Sequence, residues 1–191
     1  MKHAILGAGA IGGLIGTVLS SLGEDVTVLV RPEKLAQYPA NLTLERPSGE
    51  LTAPAKALAT LTEPVDVLWI ATKTYQLLAA LEAVQALPGC VVPLLNGVDH
   101  VAVPRSRFAG ERVVPGTIAI EAESIAPGRF IQRAPVVRLN LAASGEQVLG
   151  SNCLAVSSAG LRLPIRKQRA DAAVGQAVLP CAVCTGDVSV G

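Results

Sequence analysis

The stretch His3-Ala-Ile-Leu-Gly-Ala-Gly-Ala-Ile-Gly12 decides the fold of this chain. A short apolar strand is followed by the spacing G-x-G-x-x-G, formed by Gly7, Gly9 and Gly12. In such a turn the first glycine bends the chain sharply, the second admits a pyrophosphate, and the third lets the next helix pack on the strand. The alternative is a tight strand-to-helix turn without a ligand. The predicted phosphate-binding residues are Gly7, Ala8, Gly9, Ala10, Ile11 and Gly12.

The residues after this turn alternate between helix and strand. Residues 11–22 are an apolar helical run that ends at Gly23, a residue suited to a left-handed cap. Residues 25–30 form a second strand, which completes a βαβ unit. Residues 65–71 and 90–95 are predicted buried strands, joined by a predicted helix over residues 75–87.

Two further segments are predicted to extend the sheet. Residues 39–53 have alternating β character with a turn at residues 47–49. Residues 113–123 and 129–141 predict two long strands of a hairpin around Ala126-Pro127-Gly128, at the far edge of the sheet. The predicted fold class is α/β: a Rossmann-type, doubly wound, mainly parallel sheet with a terminal β-hairpin. A helix over residues 146–159 and a short strand over residues 161–165 would follow it.

Composition limits the classes of partner. The chain has 191 residues and a formal net charge of +1, which disfavours nucleic acid and anionic membrane surfaces and favours small molecules. No apolar run is long enough to span a membrane. The first apolar run is interpreted as a phosphate-binding turn rather than as a signal peptide. The four cysteines are too scattered to predict a disulfide framework. The pair Cys181 and Cys184 does not predict a metal site either. We therefore expect a cytoplasmic protein.

Arg31 follows the second strand, where dinucleotide-binding units select their cofactor. An acidic residue there binds the ribose hydroxyls of NAD, whereas a basic residue suits the 2′-phosphate of NADP. The guanidinium offers a fork of donors that matches phosphate, and Lys34 lies one turn further on if a helix starts at Pro32. This position predicts NADP(H) as the cofactor, the alternative being an ordinary exposed arginine.

Lys73 and Asn96 each follow a predicted parallel strand. Their strand ends should open on one crevice, where ligands bind in open α/β sheets. Lys73 can bind a phosphate or carboxylate, and the amide of Asn96 can contact the nicotinamide and the substrate. Either residue could also be a solvated loop residue, and Asn-Gly is a common turn dipeptide.

These features together resemble the ketopantoate reductase (2-dehydropantoate 2-reductase) family, over roughly residues 1–170. The resemblance implies NADPH-dependent reduction of the ketone of 2-dehydropantoate to pantoate, on the route to pantothenate and coenzyme A. It also implies that Gly7–Gly12, Arg31 and Lys73 hold the cofactor and that Asn96 contacts both cofactor and substrate. The resemblance is carried by residues 2–13, Arg31, Ala71-Thr72-Lys73-Thr74, Leu95-Asn96-Gly97-Val98-Asp99 and Ala126-Pro127-Gly128.

The sequence departs from the family after Ala172. Family members continue into a helical domain whose catalytic lysine stands in a Trp-x-Lys-Leu motif, whereas residues 173–178 are Ala-Val-Gly-Gln-Ala-Val. The codons of residues 173–187, read one base later, can spell a sequence beginning Leu-Trp-Gly-Lys-Leu, which suggests a frameshift. We therefore expect an NADP-binding Rossmann domain over residues 1–168 and, over residues 169–191, a frameshifted remnant of a helical C-terminal domain.

Two other interpretations remain at this stage. The chain could be a regulatory Rossmann module that binds a dinucleotide without chemistry, or a degraded gene product that folds poorly. Arg31, Lys73 and Asn96 favour a reductase acting on a small 2-oxo acid, because a sensor has no need for an amide beside the nicotinamide. Without the family's lysine, turnover would be very slow or absent. The partners considered are a small 2-oxo acid and, in a homodimer, a second copy of the chain.

Overall fold

The computed structural model describes residues 1–95, 97, 99–142 and 161–162, and their strands form three sheets. The strands are β1 (Lys2–Leu6), β2 (Asp25–Leu29), β3 (Asn41–Arg46), β4 (Gly49–Pro54), β5 (Lys56–Leu58), β6 (Val67–Ile70), β7 (Cys90–Pro93), β8 (Gly116–Ala119), β9 (Ala122–Ala126), β10 (Arg129–Gln132), β11 (Val137–Leu141) and β12 (Leu161–Arg162). The helices are α1 (Ala10–Ser21), α2 (Pro32–Leu35), α3 (Leu77–Leu81) and α4 (Ala102–Phe108), with short 3-10 turns at Thr74–Gln76, Asp99–Val101 and Gly110–Arg112.

The central sheet has five parallel strands in the order β5-β2-β1-β6-β7. β1 lies in the middle, with Ile5 opposite Val28 on one side and Trp69 on the other. β6 and β7 are apolar and buried throughout, because hydrophobic clusters cover both faces of the sheet. The predicted Rossmann-type, mainly parallel sheet is confirmed.

A second sheet, in the order β4-β3-β10-β9, covers the side of α1 that faces away from the central sheet. Two glycines allow the close approach. A Cβ on Gly16 would lie 3.3 Å from Cδ1 of Leu42, and a Cβ on Gly13 would lie 2.1 Å from Cζ of Phe130. Because sheets enclose α1 on two sides, its residues 12–20 are all buried, which explains why the helix is apolar nearly all round.

The placement of the predicted hairpins in the central sheet is wrong. Residues 39–53 do form a hairpin, β3–β4, and β9 and β10 pair antiparallel around Pro127 and Gly128. Both hairpins, however, belong to the second sheet, where β3 and β10 pair in parallel. The physical reason is burial: Leu42, Leu44 and Phe130 are 0% exposed against α1, a surface that the central sheet does not reach.

The two long strands predicted after residue 113 are each divided. β8 pairs with β11 in a third sheet, and β11 also pairs in parallel with β12. The break between β10 and β11 contains Pro135, which has no backbone N–H for a ladder. The predicted strand at residues 161–165 is therefore present over Leu161–Arg162, whereas the predicted helix at residues 146–159 and the predicted remnant at residues 169–191 lie outside the described residues.

The predicted helix over residues 75–87 is much shorter. A 3-10 turn leads into α3, which ends at Leu81. Val84 then forms a parallel bridge with Leu61, so pairing with another segment takes over from the helix. Leu78 and Leu87 are 71% and 56% exposed, so the predicted segment does not form one continuous buried helical face. Within the described residues, no helix combines the length and apolar composition that crossing a bilayer requires.

Candidate functional site

The glycine turn joins the middle strand of the central sheet to α1. Gly9 is the N-terminal capping residue of α1, with an extended backbone (φ −85°, ψ −167°), and no side chain caps the helix. The first turn of α1 also contains no acidic residue. Its leading N–H groups and the positive end of the helix dipole are therefore available to an anion at the carboxyl edge of the sheet.

Each glycine of the motif has a distinct environment. Gly7 has φ +107°, and a Cβ on it would lie 2.8 Å from the backbone of Ala71 and Thr72 at the end of β6. A Cβ on Gly12 would lie 2.0 Å from the carbonyl oxygen of Gly7. A Cβ on Gly9 would meet nothing within 4 Å. The turn is thus closely packed at Gly7 and Gly12 and open at Gly9.

Arg31 lies at the same edge, two residues after the end of β2. It adopts an extended conformation (φ −62°, ψ 144°) before α2, which starts at Pro32 as predicted. Arg31 and Lys34 are both exposed, and neither forms an ion pair within the part of the chain that the structure describes. β2 pairs in parallel with β1, so these two cations flank the glycine turn on its β2 side.

Lys73 flanks the turn on the opposite side, because β6 is the other parallel neighbour of β1. It is exposed and precedes the 3-10 turn Thr74–Gln76. Thr72 has no individual role predicted from the sequence, and its Oγ1 is buried without a hydrogen-bond partner among the described residues. Only its place after an apolar strand, beside the lysine, could have drawn attention to it.

Asn96 lies outside the described residues. The preceding residues Leu94 and Leu95 are buried, and Gly97 has φ +87°. β7, from which this segment follows, is the parallel neighbour of β6 and ends at the same edge of the sheet. The structure therefore brings Gly7–Gly12, Arg31 and Lys73 to one edge and leaves the role of Asn96 as a prediction.

Two groups with displaced pKa values lie at the opposite edge. Burial lowers the pKa of the His3 imidazole, near the start of β1. Burial also raises the pKa of the Cys90 thiol, at the start of β7, to about 11. Neither group is placed for acid–base or nucleophilic chemistry at the glycine turn. Within the described residues, no group of three or more His, Cys, Asp or Glu side chains could hold a metal ion.

The geometry described above agrees with comparisons to known proteins. The family model for ketopantoate reductase PanE/ApbA matches residues 3–145. A 2-dehydropantoate 2-reductase of Caulobacter vibrioides is 39% identical over 137 residues, which are 68% of this chain and 45% of that protein.

Solved structures show the same fold. A 2-dehydropantoate 2-reductase from Porphyromonas gingivalis matches with a TM-score of 0.77 and 22% identity, over 88% of this chain and 65% of that one. A D-mandelate dehydrogenase in a ternary structure with NADH and anilino(oxo)acetate matches with a TM-score of 0.73 and 23% identity, over 87% of this chain and 57% of that one. At these identities the two structures support the fold alone.

The family match covers most of the chain, while the chain spans only 45% of the length of the Caulobacter relative. The match includes the glycine turn, the residue after β2 and the residues after β6. This chain belongs to the ketopantoate reductase PanE/ApbA family of oxidoreductases.

Proposed function

We propose that this chain is the cofactor-binding part of an NADPH-dependent reductase that converts 2-dehydropantoate to pantoate. One observation carries the proposal: an uncapped helix N-terminus with an open Gly9 lies beside an exposed arginine that follows the next parallel strand. The first feature suits a pyrophosphate, and the second suits a ribose 2′-phosphate.

The residues at the carboxyl edge have the chemistry that a dinucleotide would need. Gly9 leaves room for the pyrophosphate against the backbone, since a Cβ there would project into open space. The N–H groups of the first turn of α1 would donate to the phosphate oxygens. Lys73, on the β6 side, would add a mobile cation that could hold a phosphate. Gly7 and Gly12 serve the site indirectly by holding β6 and α1 close to the turn.

The preference for NADPH over NADH rests on Arg31. No acidic residue occupies the position after β2, where a carboxylate would bind the ribose hydroxyls of NAD. A guanidinium can donate two parallel hydrogen bonds to a phosphate, and Lys34 on α2 adds a second positive charge nearby. NADH lacks the phosphate that would use these donors.

The substrate proposed for this site is a small 2-oxo acid. Bound NADPH would supply a hydride to the C2 ketone carbon, and a proton on the ketone oxygen completes the alcohol. The Asn96 amide would orient the ketone and the nicotinamide. Residues 173–178 lack the Trp-x-Lys-Leu motif that the family resemblance implies for the proton donor. We therefore propose cofactor binding with slow or absent turnover for this chain, and an NADP-binding domain over residues 1–168; a cytoplasmic location and a homodimer stay predictions.

Titration of the purified chain with NADPH and NADH, followed by calorimetry and nicotinamide fluorescence, tests this proposal. A parallel assay measures NADPH loss with 2-dehydropantoate. Selective NADPH binding without turnover is expected. Binding with rapid turnover would place the proton donor in residues of this chain, and binding that is unaffected by 2-dehydropantoate would favour a regulatory module. Failure to bind either cofactor would contradict the proposal.

Two glycine variants provide a matched control for this titration. Gly9→Val puts a side chain into the open part of the turn, where the pyrophosphate would lie, and should abolish NADPH binding. Gly110→Val also adds a side chain where nothing lies within 4 Å. Gly110 is in the 3-10 turn with Arg112, whose guanidinium donates to the carbonyl of Pro88 before β7, so it is remote from the glycine turn. NADPH binding by Gly110→Val should match that of the wild type.

A further inference from the structure

We propose that Arg46, on the second sheet, binds an anionic group of the ligands held at the N-terminus of α1. Nothing in the dinucleotide motif assigns a role to this residue, which belongs to a different sheet from the glycine turn. The inference rests on the proposed function and adds a cation contributed from the far side of α1.

The strand alternation places Arg46 on the face of β3 that covers α1. Leu42 and Leu44 are 0% exposed and belong to the core cluster with Leu14 and Val18 of α1. Successive side chains in a strand alternate between faces, so Arg46 follows Leu42 and Leu44 on the same side. The β3–β4 register runs without a shift up to Arg46 opposite Gly49, so no bulge reverses this orientation.

The register also fixes how far along α1 Arg46 lies. Leu42 lies against Gly16, and Phe130, the strand partner of Leu44, lies against Gly13. β3 therefore runs toward the N-terminus of α1. Two further strand residues advance roughly 6.6 Å, and four helix residues from Gly13 to Gly9 advance roughly 6 Å. By this estimate Arg46 lies level with the first turn of α1.

Among the described residues, Arg46 has no ion-pair partner that neutralises its charge. Its Nε is buried and has no hydrogen-bond partner, and the residue forms no ion pair within the described ranges. The residue as a whole is half-buried. By contrast, Arg129 on the adjacent strand is bound to Glu45 at 3.0 Å. A buried guanidinium nitrogen without a partner is costly, and an anion beside it would remove that cost.

Two anions could reach the N-terminus of α1 in the proposed complex: the cofactor pyrophosphate and the carboxylate of the 2-oxo acid. Both would accept hydrogen bonds from a guanidinium, and α1 itself contains no basic residue that could supply one. The pyrophosphate occupies the helix N-terminus directly, so its affinity is the first quantity to measure.

Arg46→Met keeps an unbranched stem without the charge, and Arg46→Lys keeps the charge without the fork of donors. We expect Arg46→Met to weaken NADPH and NADH binding by a similar factor of about tenfold, with partial recovery in Arg46→Lys. Binding of adenosine 2′-monophosphate, which lacks the pyrophosphate, should be unchanged. Arg129→Gln removes an exposed charge from the opposite face of the same sheet, so it serves as the matched control and should bind every ligand like the wild type.

The outcomes separate the two anions. Unchanged cofactor binding with weaker binding of 2-dehydropantoate to the NADPH complex would assign Arg46 to the carboxylate. Unchanged binding of all ligands in Arg46→Met would overturn the inference. If the wild type binds no NADPH, the proposed function fails first, and titration of wild type and Arg46→Met with inorganic pyrophosphate then tests Arg46 alone: equal affinities would overturn its role. Thermal unfolding of each variant excludes loss of fold as the cause.

Discussion

The two ends of the central sheet differ in how their polar groups are satisfied. At the carboxyl end, α1 starts without a side-chain cap, and Arg31 and Lys73 are exposed. At the amino end, Trp69 donates from Nε1 to Nδ1 of His3 at 3.2 Å, and Nε2 of His3 lies 3.7 Å from Glu24. Most of these amino-end polar groups are thus paired with one another, Nε2 of His3 being a buried exception without a hydrogen-bond partner, whereas Arg31 and Lys73 at the carboxyl end form no ion pair among the described residues.

One sheet can therefore keep the contacts that stabilise the fold and the residues proposed for binding at opposite ends. His3 and Trp69 are 3% and 2% exposed, so their hydrogen bond is shielded from water and holds β1 to β6. The backbone N–H of Lys2 also donates to Asp66 at 2.7 Å, which joins the starts of the same two strands. Substitutions at the amino end should therefore change stability, and exposed residues at the carboxyl end should change affinity. The glycine turn is where the two requirements meet.

The largest expected effect is that of Gly12→Ala, which tests whether the glycine turn is itself a folding element. The new methyl group would lie 2.0 Å from the Gly7 carbonyl oxygen and 2.9 Å from Cγ2 of Ile5. We expect a loss of about 3 kcal/mol in the free energy of unfolding, measured by urea denaturation, because backbone atoms must move. Gly9→Ala, which meets nothing within 4 Å, is the control and should retain the wild-type stability. Equal stabilities of the two variants would show that the turn relaxes freely.

Arg31→Gln should change affinity without changing stability, as expected for an exposed residue at the carboxyl end. NADPH affinity should fall by about tenfold while NADH affinity stays constant, because only NADPH has the 2′-phosphate that would accept the charge-assisted hydrogen bonds. Parallel calorimetric titrations with the two cofactors measure this change in selectivity. A matching loss of NADH affinity would mean that Arg31 contacts a part common to both cofactors.

The sequence predicted the carboxyl end of the central sheet better than any other part of the molecule. The spacing of Gly7, Gly9 and Gly12 predicted the turn, and Pro32 correctly marked the start of α2. These features are local, because a motif of a few residues determines both backbone conformation and neighbouring strand order. The binding roles assigned to these residues remain predictions.

The second sheet could not be predicted from local pattern. In its parallel pair β3–β10, Thr43 lies opposite Arg129, which is more than eighty residues later in the chain. Glu45 and Arg129, whose side chains are hydrogen-bonded, are 84 residues apart. Nothing in either hairpin shows that it covers α1 rather than extending the central sheet. The information lies in Gly13, which makes room for the Phe130 ring. The position of Arg46 beside α1 follows from the contact between Gly13 and Phe130. Because that contact is long-range, local sequence pattern could not predict the position of Arg46.

His3 gives the amino end a pH dependence. Burial is the main cause of its lowered pKa, and Glu24, Asp66 and the terminal amino group are the charges that act on it. Because the folded pKa lies below the unfolded value of 6.5, the stabilisation is complete above that pH and is lost as pH falls through the folded pKa, by at most about 1.4 kcal/mol per pH unit.

Urea denaturation between pH 7.5 and pH 5 measures this loss. His3→Asn cannot take up the proton, so its stability should vary less with pH than that of the wild type, even if it is lower at neutral pH. A wild-type stability that rises on acidification would mean that attraction by Glu24 outweighs burial.

Two threonines give the smallest expected effect and compare the two kinds of polar group directly. Oγ1 of Thr17 donates to the Gly13 carbonyl at 2.7 Å inside α1, whereas Oγ1 of Thr72, at the carboxyl end, is buried without a partner among the described residues. Valine has nearly the same shape as threonine in both places.

Thr17→Val should lower the free energy of unfolding by about 1 kcal/mol, because the Gly13 carbonyl loses a donor. Thr72→Val should leave it unchanged or raise it by up to about 1 kcal/mol, since a buried hydroxyl without a partner costs free energy. If Thr72→Val instead destabilises the protein as much as Thr17→Val does, the Thr72 hydroxyl has a hydrogen-bond partner within the protein. The carboxyl end would then not differ from the amino end at that position.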